Sequence, residues 1–117
     1  MTQPAPTARL LAHNVFFALH DRSPEACQRL LGACRTLLAP HPGLLFFACG
    51  TRAPELHRDV NDLEFDVGLH IVFRDQAAHD SYQDTETHHQ FIAENKHNWR
   101  NVRVFDSLVT TSPTATA

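Results

Sequence analysis

Apolar side chains crowd both faces of the stretch from Leu11 to Leu19, many of them aromatic or branched, so the pattern opens with a predicted β-strand. Ser23-Pro24-Glu25 then supplies a capping hydroxyl, a first-turn proline and a first-turn acid. Behind that signal Cys27, Leu30, Leu31, Cys34, Leu37 and Leu38 recur at helical spacing, which predicts one amphipathic helix. Pro40 and Pro42-Gly43 end it, Leu44 to Gly50 reads as a second strand, and Arg52 to Asp62 as a polar loop. The longest predicted strand runs from Leu63 to Phe73, with Phe65, Val67, Leu69, Ile71 and Phe73 on one face and Glu64, Asp66, Gly68, His70 and Val72 on the other. Asp75 can cap a short helix through Ala77, Ala78 and Tyr82. A further helix is expected from about Thr87, whose spacing to Gln90 fits a capping box, with His88, Phe91, Ile92, Asn95 and Trp99 on one face. Val102 to Val109 closes the pattern as a last strand.

The predicted order is strand, helix, strand, strand, helix, strand. That is the split βαβ or ferredoxin-like arrangement of the α+β class, an antiparallel four-stranded sheet with its helices on one face. The 117 residues suit a single domain, expected over residues 10–110, with Pro/Thr/Ala-rich flexible tails at 1–9 and 111–117.

Charge and composition narrow the partners. Ten Lys+Arg against thirteen Asp+Glu give a formal net charge of −3 without any basic cluster, so nucleic acid is not expected. No apolar run approaches the roughly 18 residues a membrane span needs, and Met1 to Ala8 lack the features of a secretory signal. A cytoplasmic protein is expected. Cys27, Cys34 and Cys49 form no Cys-x-x-Cys pair and leave one over, which reads as small buried thiols rather than a disulfide framework or a zinc site.

Nine histidines, against one Trp and one Tyr, direct attention to a histidine-built site. His88 falls on the apolar side of its predicted helix, one turn before Phe91 and Ile92. Its ring then faces the sheet, either as a satisfied core residue or as a titratable group in a cleft. Tyr82 precedes it by six residues, and a buried hydroxyl there needs a partner. His13 shares a strand face with Val15, Phe17 and Leu19, the face assigned to the helices. Metal chemistry finds no support in spacing: there is no His-Glu-x-x-His, and the adjacent His88 and His89 point about 100° apart on a helix. No Gly-x-Ser-x-Gly elbow or phosphate-cradling glycine loop occurs, so neither metal nor cofactor is expected.

Five segments together resemble the stress-responsive A/B barrel (Dabb) family over roughly Leu11 to Val109. They are His13-Asn14-Val15-Phe16-Phe17, Pro42-Gly43 before a strand ending in Gly50, Ile71-Val72-Phe73, Tyr82 with His88 and Phe91, and Val104-Phe105-Asp106. The resemblance implies a ferredoxin-like protomer that dimerises into an α/β barrel. One branch, similar to olivetolic acid cyclase, closes a linear polyketide by intramolecular aldol condensation without metal or cofactor. Its catalytic His and Tyr fall at His88 and Tyr82, and a further histidine at His13. Where that family usually ends this segment in His-Pro-x-His, the chain reads Gln83-Asp84-Thr85-Glu86-Thr87-His88, and the branch's pocket tyrosine falls near Cys34.

The resulting expectation is a small apolar pocket between sheet and helices, lined by Val15, Phe17, Leu30, Cys34, Phe47, Leu69 and Asp106, for an aromatic or polyketide-like molecule. His88 would act as general base, Tyr82 would orient it or donate to an oxyanion, and Asp106 would fix the tautomer of His13 or His88. The rival is a non-catalytic ligand-binding or stress-related module in which His88 and Tyr82 complete a core network. Strand alternation sends Phe16, Ala18, Leu44, Phe46, Val72, Phe105 and Val109 to the opposite sheet face, with Asp66, His70, Arg103 and Ser107 at its rim. Such a face predicts a homodimer centred on Phe16, Phe46 and Phe105.

Overall fold

In a computed structural model that describes residues 9–115, four strands form one antiparallel sheet in the order β2-β3-β1-β4. They are β1 (Leu10–Leu19), β2 (Leu44–Thr51), β3 (Val67–Phe73) and β4 (Trp99–Val109). The helices are α1 (Pro24–Ala33), α2 (Gln76–Gln83) and α3 (Glu86–Asn95), so the ferredoxin-like architecture is observed. The tails expected at 1–9 and 111–117 lie largely outside the described residues, and 111–115 are exposed and irregular. Among the described residues no helix is long and apolar enough to cross a membrane.

Ser23 caps α1 by accepting from Ala26 N at 3.2 Å, with Pro24 in the first turn. The helix ends in a wider π-turn, Cys34–Leu38, that carries Cys34 and Leu38 into the core. Gly43 then turns the chain at φ 92°, where a Cβ would stand 2.7 Å from Ala78 Cβ, so both conformation and space require glycine. One sheet face, carrying Leu11, Val15, Phe17, Leu69, Ile71 and Phe73, packs against Leu30, Leu31, Leu38, Ala78, Tyr82 and Phe91 of the helical layer.

Several boundaries differ from the periodicity, each for an identifiable reason. β3 starts at Val67, because Asp66 folds back on β1: its backbone N donates to Phe17 O at 2.8 Å, and its carboxylate accepts from Leu19 N and Arg22 Nε, both at 2.8 Å. The bend breaks the alternation. Phe65 therefore packs on Phe16 of the open face, Asp66 is consumed as a brace instead of sitting at the rim, and Ala18, expected on the open face, is buried. The register of β2 shifts between Leu44 and Phe46, which returns Leu44 to the core side and leaves Leu45 exposed. Thr85, not Thr87, caps α3, since its hydroxyl accepts from His88 N at 3.2 Å. Trp99 opens β4 after a 3₁₀ turn, Lys96–Asn98, and does not extend the face of α3.

Candidate active site

Sheet register and one threonine assemble the site. His13 on the central strand β1 pairs directly with Asp106 on β4. Opposed residues of an antiparallel pair project from the same face, so the two side chains meet, and His13 Nδ1 lies 2.5 Å from Asp106 Oδ1. At the junction of α2 and α3, the Thr85 hydroxyl donates to Tyr82 O at 2.8 Å while accepting from His88 N. This tie sets the ring of Tyr82, from the last turn of α2, against that of His88, in the first turn of α3, with centroids 4.8 Å apart at 73°. The His13 ring stands 6.2 Å from Tyr82, edge to face.

All three rings line a cavity of about 190 Å³ over β1 and β4 and beneath α3, together with Val15, Phe17, Leu69, Phe91 and Val104. Among the described residues, His88 Nδ1 and Trp99 Nε1 are buried in its wall without a hydrogen-bond partner. Burial, with smaller contributions from His89, His13 and His79, holds His88 below the usual histidine range. Burial also lowers His13, and outweighs the opposing pull of Asp106. Tyr82 is pushed well above its ordinary value by burial. At neutral pH the site thus holds two uncharged imidazoles and an un-ionised phenol.

The other residues expected to line a pocket separate. Val15, Phe17 and Leu69 do so, and Asp106 stands behind His13 as its partner. Phe47 lies on the edge strand β2, two strands from β1, and packs at the fringe of the core. Leu30 lines a different, more polar groove with Asp21, Arg29 and Glu94. Cys34 is wholly buried with its thiol pushed up to about 12, chiefly by burial, so it is packing and not a nucleophile. Leu38, Gln83 and Trp99 also line the cavity; periodicity places Leu38 and Trp99 on apolar faces without marking them as pocket residues, and does not single out Gln83. His79 reaches the same cluster, with its ring 5.1 Å from His13. Its position three residues before Tyr82, on the same face of α2, was the available signal.

A four-stranded antiparallel sheet backed on one face by helices, in the order β1-α1-β2-β3-α2-α3-β4 with α2 and α3 together filling the second crossover, defines a ferredoxin-like α+β domain. Within that class, the chain belongs to the stress responsive A/B barrel domain family, which it matches over residues 11–109. No functionally curated protein matches it. Among solved structures it resembles a Dabb family protein with a ferredoxin-like fold from Mesorhizobium loti (21% identity, 88% of this chain and 99% of that one, TM-score 0.71). A hydroxynitrile lyase from Passiflora edulis is similar at 18% identity, 92% and 100% coverage and TM-score 0.71. A dimeric ferredoxin-like protein of unknown function from Thermobifida fusca gives 16%, 87%, 92% and 0.72. At these identities the likeness is one of fold.

Proposed function

We propose that the protein is a homodimeric lyase or cyclase that makes or breaks a carbon–carbon bond next to a carbonyl in a small aromatic or polyketide-like compound, using its own side chains as acid and base. The observation that carries this reading is the apolar cavity with His88, Tyr82 and His13 in its wall. With a linear diketone, neutral His88 removes the proton on the carbon next to a carbonyl, that carbon attacks a second carbonyl, and the un-ionised Tyr82 hydroxyl donates to the alkoxide formed; with a cyanohydrin, His88 takes the hydroxyl proton, the carbonyl forms as the C–CN bond breaks, and the imidazolium returns the proton to cyanide. His13, held in one tautomer by Asp106, is the third polar group of the wall. His88 Nδ1 and Trp99 Nε1 are enclosed polar atoms of the wall to which a polar ligand can hydrogen-bond, a contact worth about 0.5–1.5 kcal/mol each. The hydroxynitrile lyase neighbour supports the class of bond, and the Dabb relative supports the scaffold.

The dimeric neighbour supports a homodimer. The face we assign to it is the open sheet face, where Phe46 and Phe105 are more than half exposed and Phe16 stacks edge-on against Phe65 and Phe105 at 5.0 and 5.8 Å.

The test incubates the protein with a panel of aromatic cyanohydrins and linear 1,3-diketones and follows products by mass spectrometry. Turnover of one class is expected, with His88→Ala lowering it by about 10²–10⁴-fold. Tyr82→Phe should lower turnover while leaving the fold intact. Activity that survives His88→Ala unchanged overturns the assignment. Binding of panel members without turnover makes the protein the non-catalytic binding module instead.

A further inference from the structure

A third cluster of chemistry lies beside the acid–base pair. His13 from β1, His79 from α2 and Asp106 from β4 each present one potential ligand atom, and these atoms lie within 4.8 Å of one another. The residues are far apart in sequence, which is why no spacing motif announces them. Two imidazoles and one carboxylate are a donor set suited to divalent first-row transition ions, and three protein ligands leave coordination positions open. The donors are supported from outside. His79 Nδ1 is 3.0 Å from Asp80 Oδ1, the carboxylate–histidine relay that fixes a tautomer and leaves Nε2 as the acceptor; Nε2 lies 3.4 Å from the Gln83 side-chain amide, which a bound ion would displace. His13 is buried, whereas the Asp106 side chain remains 41% exposed and offers a path in from solvent. The other side of His13 faces the cavity, so an open position there would meet whatever the cavity holds.

We propose that His13, His79 and Asp106 form a three-ligand site for a divalent first-row transition-metal ion at the edge of the cavity. The site needs neither His88 nor Tyr82; it shares His13 and Asp106 with the cavity wall, and with an ion bound Asp106 would ligate in place of holding the His13 tautomer.

The test titrates the full-length, untagged, chelator-treated protein with Co²⁺ and reads the visible ligand-field absorption. Saturation at one ion per chain, with displacement by Zn²⁺, is expected. His79→Ala should remove the absorption, with the fold checked by circular dichroism. Asp80→Asn, on an exposed side chain that cannot compromise the core, should weaken binding by about 10–100-fold. His57→Ala, in the exposed loop after β2, should change nothing. Absence of saturable binding, or binding that survives both His79→Ala and Asp80→Asn, overturns the site. A loss of equal size in His57→Ala would mark nonspecific histidine binding and overturn it too.

Discussion

Five histidines meet or surround Tyr82 in one corner of the molecule. His13, His41 and His88 contact its ring, His79 contacts His13, and His89 contacts His88. His13 and His88 lie below their ordinary value near 6.5 because burial disfavours the imidazolium, an effect that Asp106 opposes at His13 without cancelling. The sign follows: below about pH 6.5 the unfolded chain binds more protons than the folded one, so stability falls as pH drops through 6.5 and stays flat above it. Urea unfolding at pH 7.5 and 5.5 should show a lower midpoint at the acid pH. An unchanged or higher midpoint would mean that the two rings are solvated in the folded state. At this scale the sequence was informative wherever one element sets direction. Helical and strand periodicity alone turns His88 and His13 inward, and both line the cavity; Tyr82, which periodicity leaves open, lines it with them. The choice of His13 as the partner of Asp106 depends on the β1–β4 register, which a period of two cannot supply.

Between elements, the tie that matters is Thr85. It ends α2 through Tyr82 O and starts α3 through His88 N, and so couples the spacing of the two rings to a helix cap. Thr85→Ala should cost about 0.5–2 kcal/mol in denaturant unfolding, the usual range for a lost N-cap. It should also lower any His88-dependent turnover more than the stability loss alone explains, and Thr85→Ser should restore both. A variant that loses stability but keeps full turnover would show that the ring spacing is set elsewhere. The boundaries that periodicity misplaced share a cause. At Asp66 and Thr85 a polar side chain bonds backbone of another turn or strand, and such bonds bend or cap the chain without altering the hydrophobic pattern. Leu63 and Phe65 still alternate like a strand although the backbone there is irregular, and Thr87 with Gln90 still spaces like a capping box one half-turn too late.

At the scale of the molecule, the described residues leave one sheet face uncovered, and polar groups on that face bond to one another. His70 Nδ1 lies 2.8 Å from Asn14 Oδ1, and Arg103 pairs with Asp62, so these side chains satisfy one another within the protomer. What remains to be covered is aromatic: Phe16 and Phe65 in mutual contact, with Phe105 and Phe46 about 54 and 55% exposed on either side. Antiparallel sheets that keep one face in water alternate apolar with polar residues there, and this one does not. Strand order explains why Phe46 and Phe105 can flank the patch, since β2 and β4 are the two edges of the sheet, a fact the linear pattern does not contain. A second copy packed face to face through a two-fold axis covers both edges at once, because a self-complementary patch presents each phenylalanine to its partner's surface. Such an interface should bury well over about 1,000 Å² in total, enough for a dimer that persists at micromolar concentration. Phe105→Glu sets a carboxylate at this apolar face, where leaving a charge unpaired costs several kcal/mol, yet in the isolated protomer the side chain is exposed and the fold should tolerate it. Sedimentation velocity should therefore give a dimer for the wild type and a folded monomer for Phe105→Glu, with matching circular dichroism. A wild-type monomer at micromolar concentration, or a Phe105→Glu dimer as stable as the parent, would move the interface off this face.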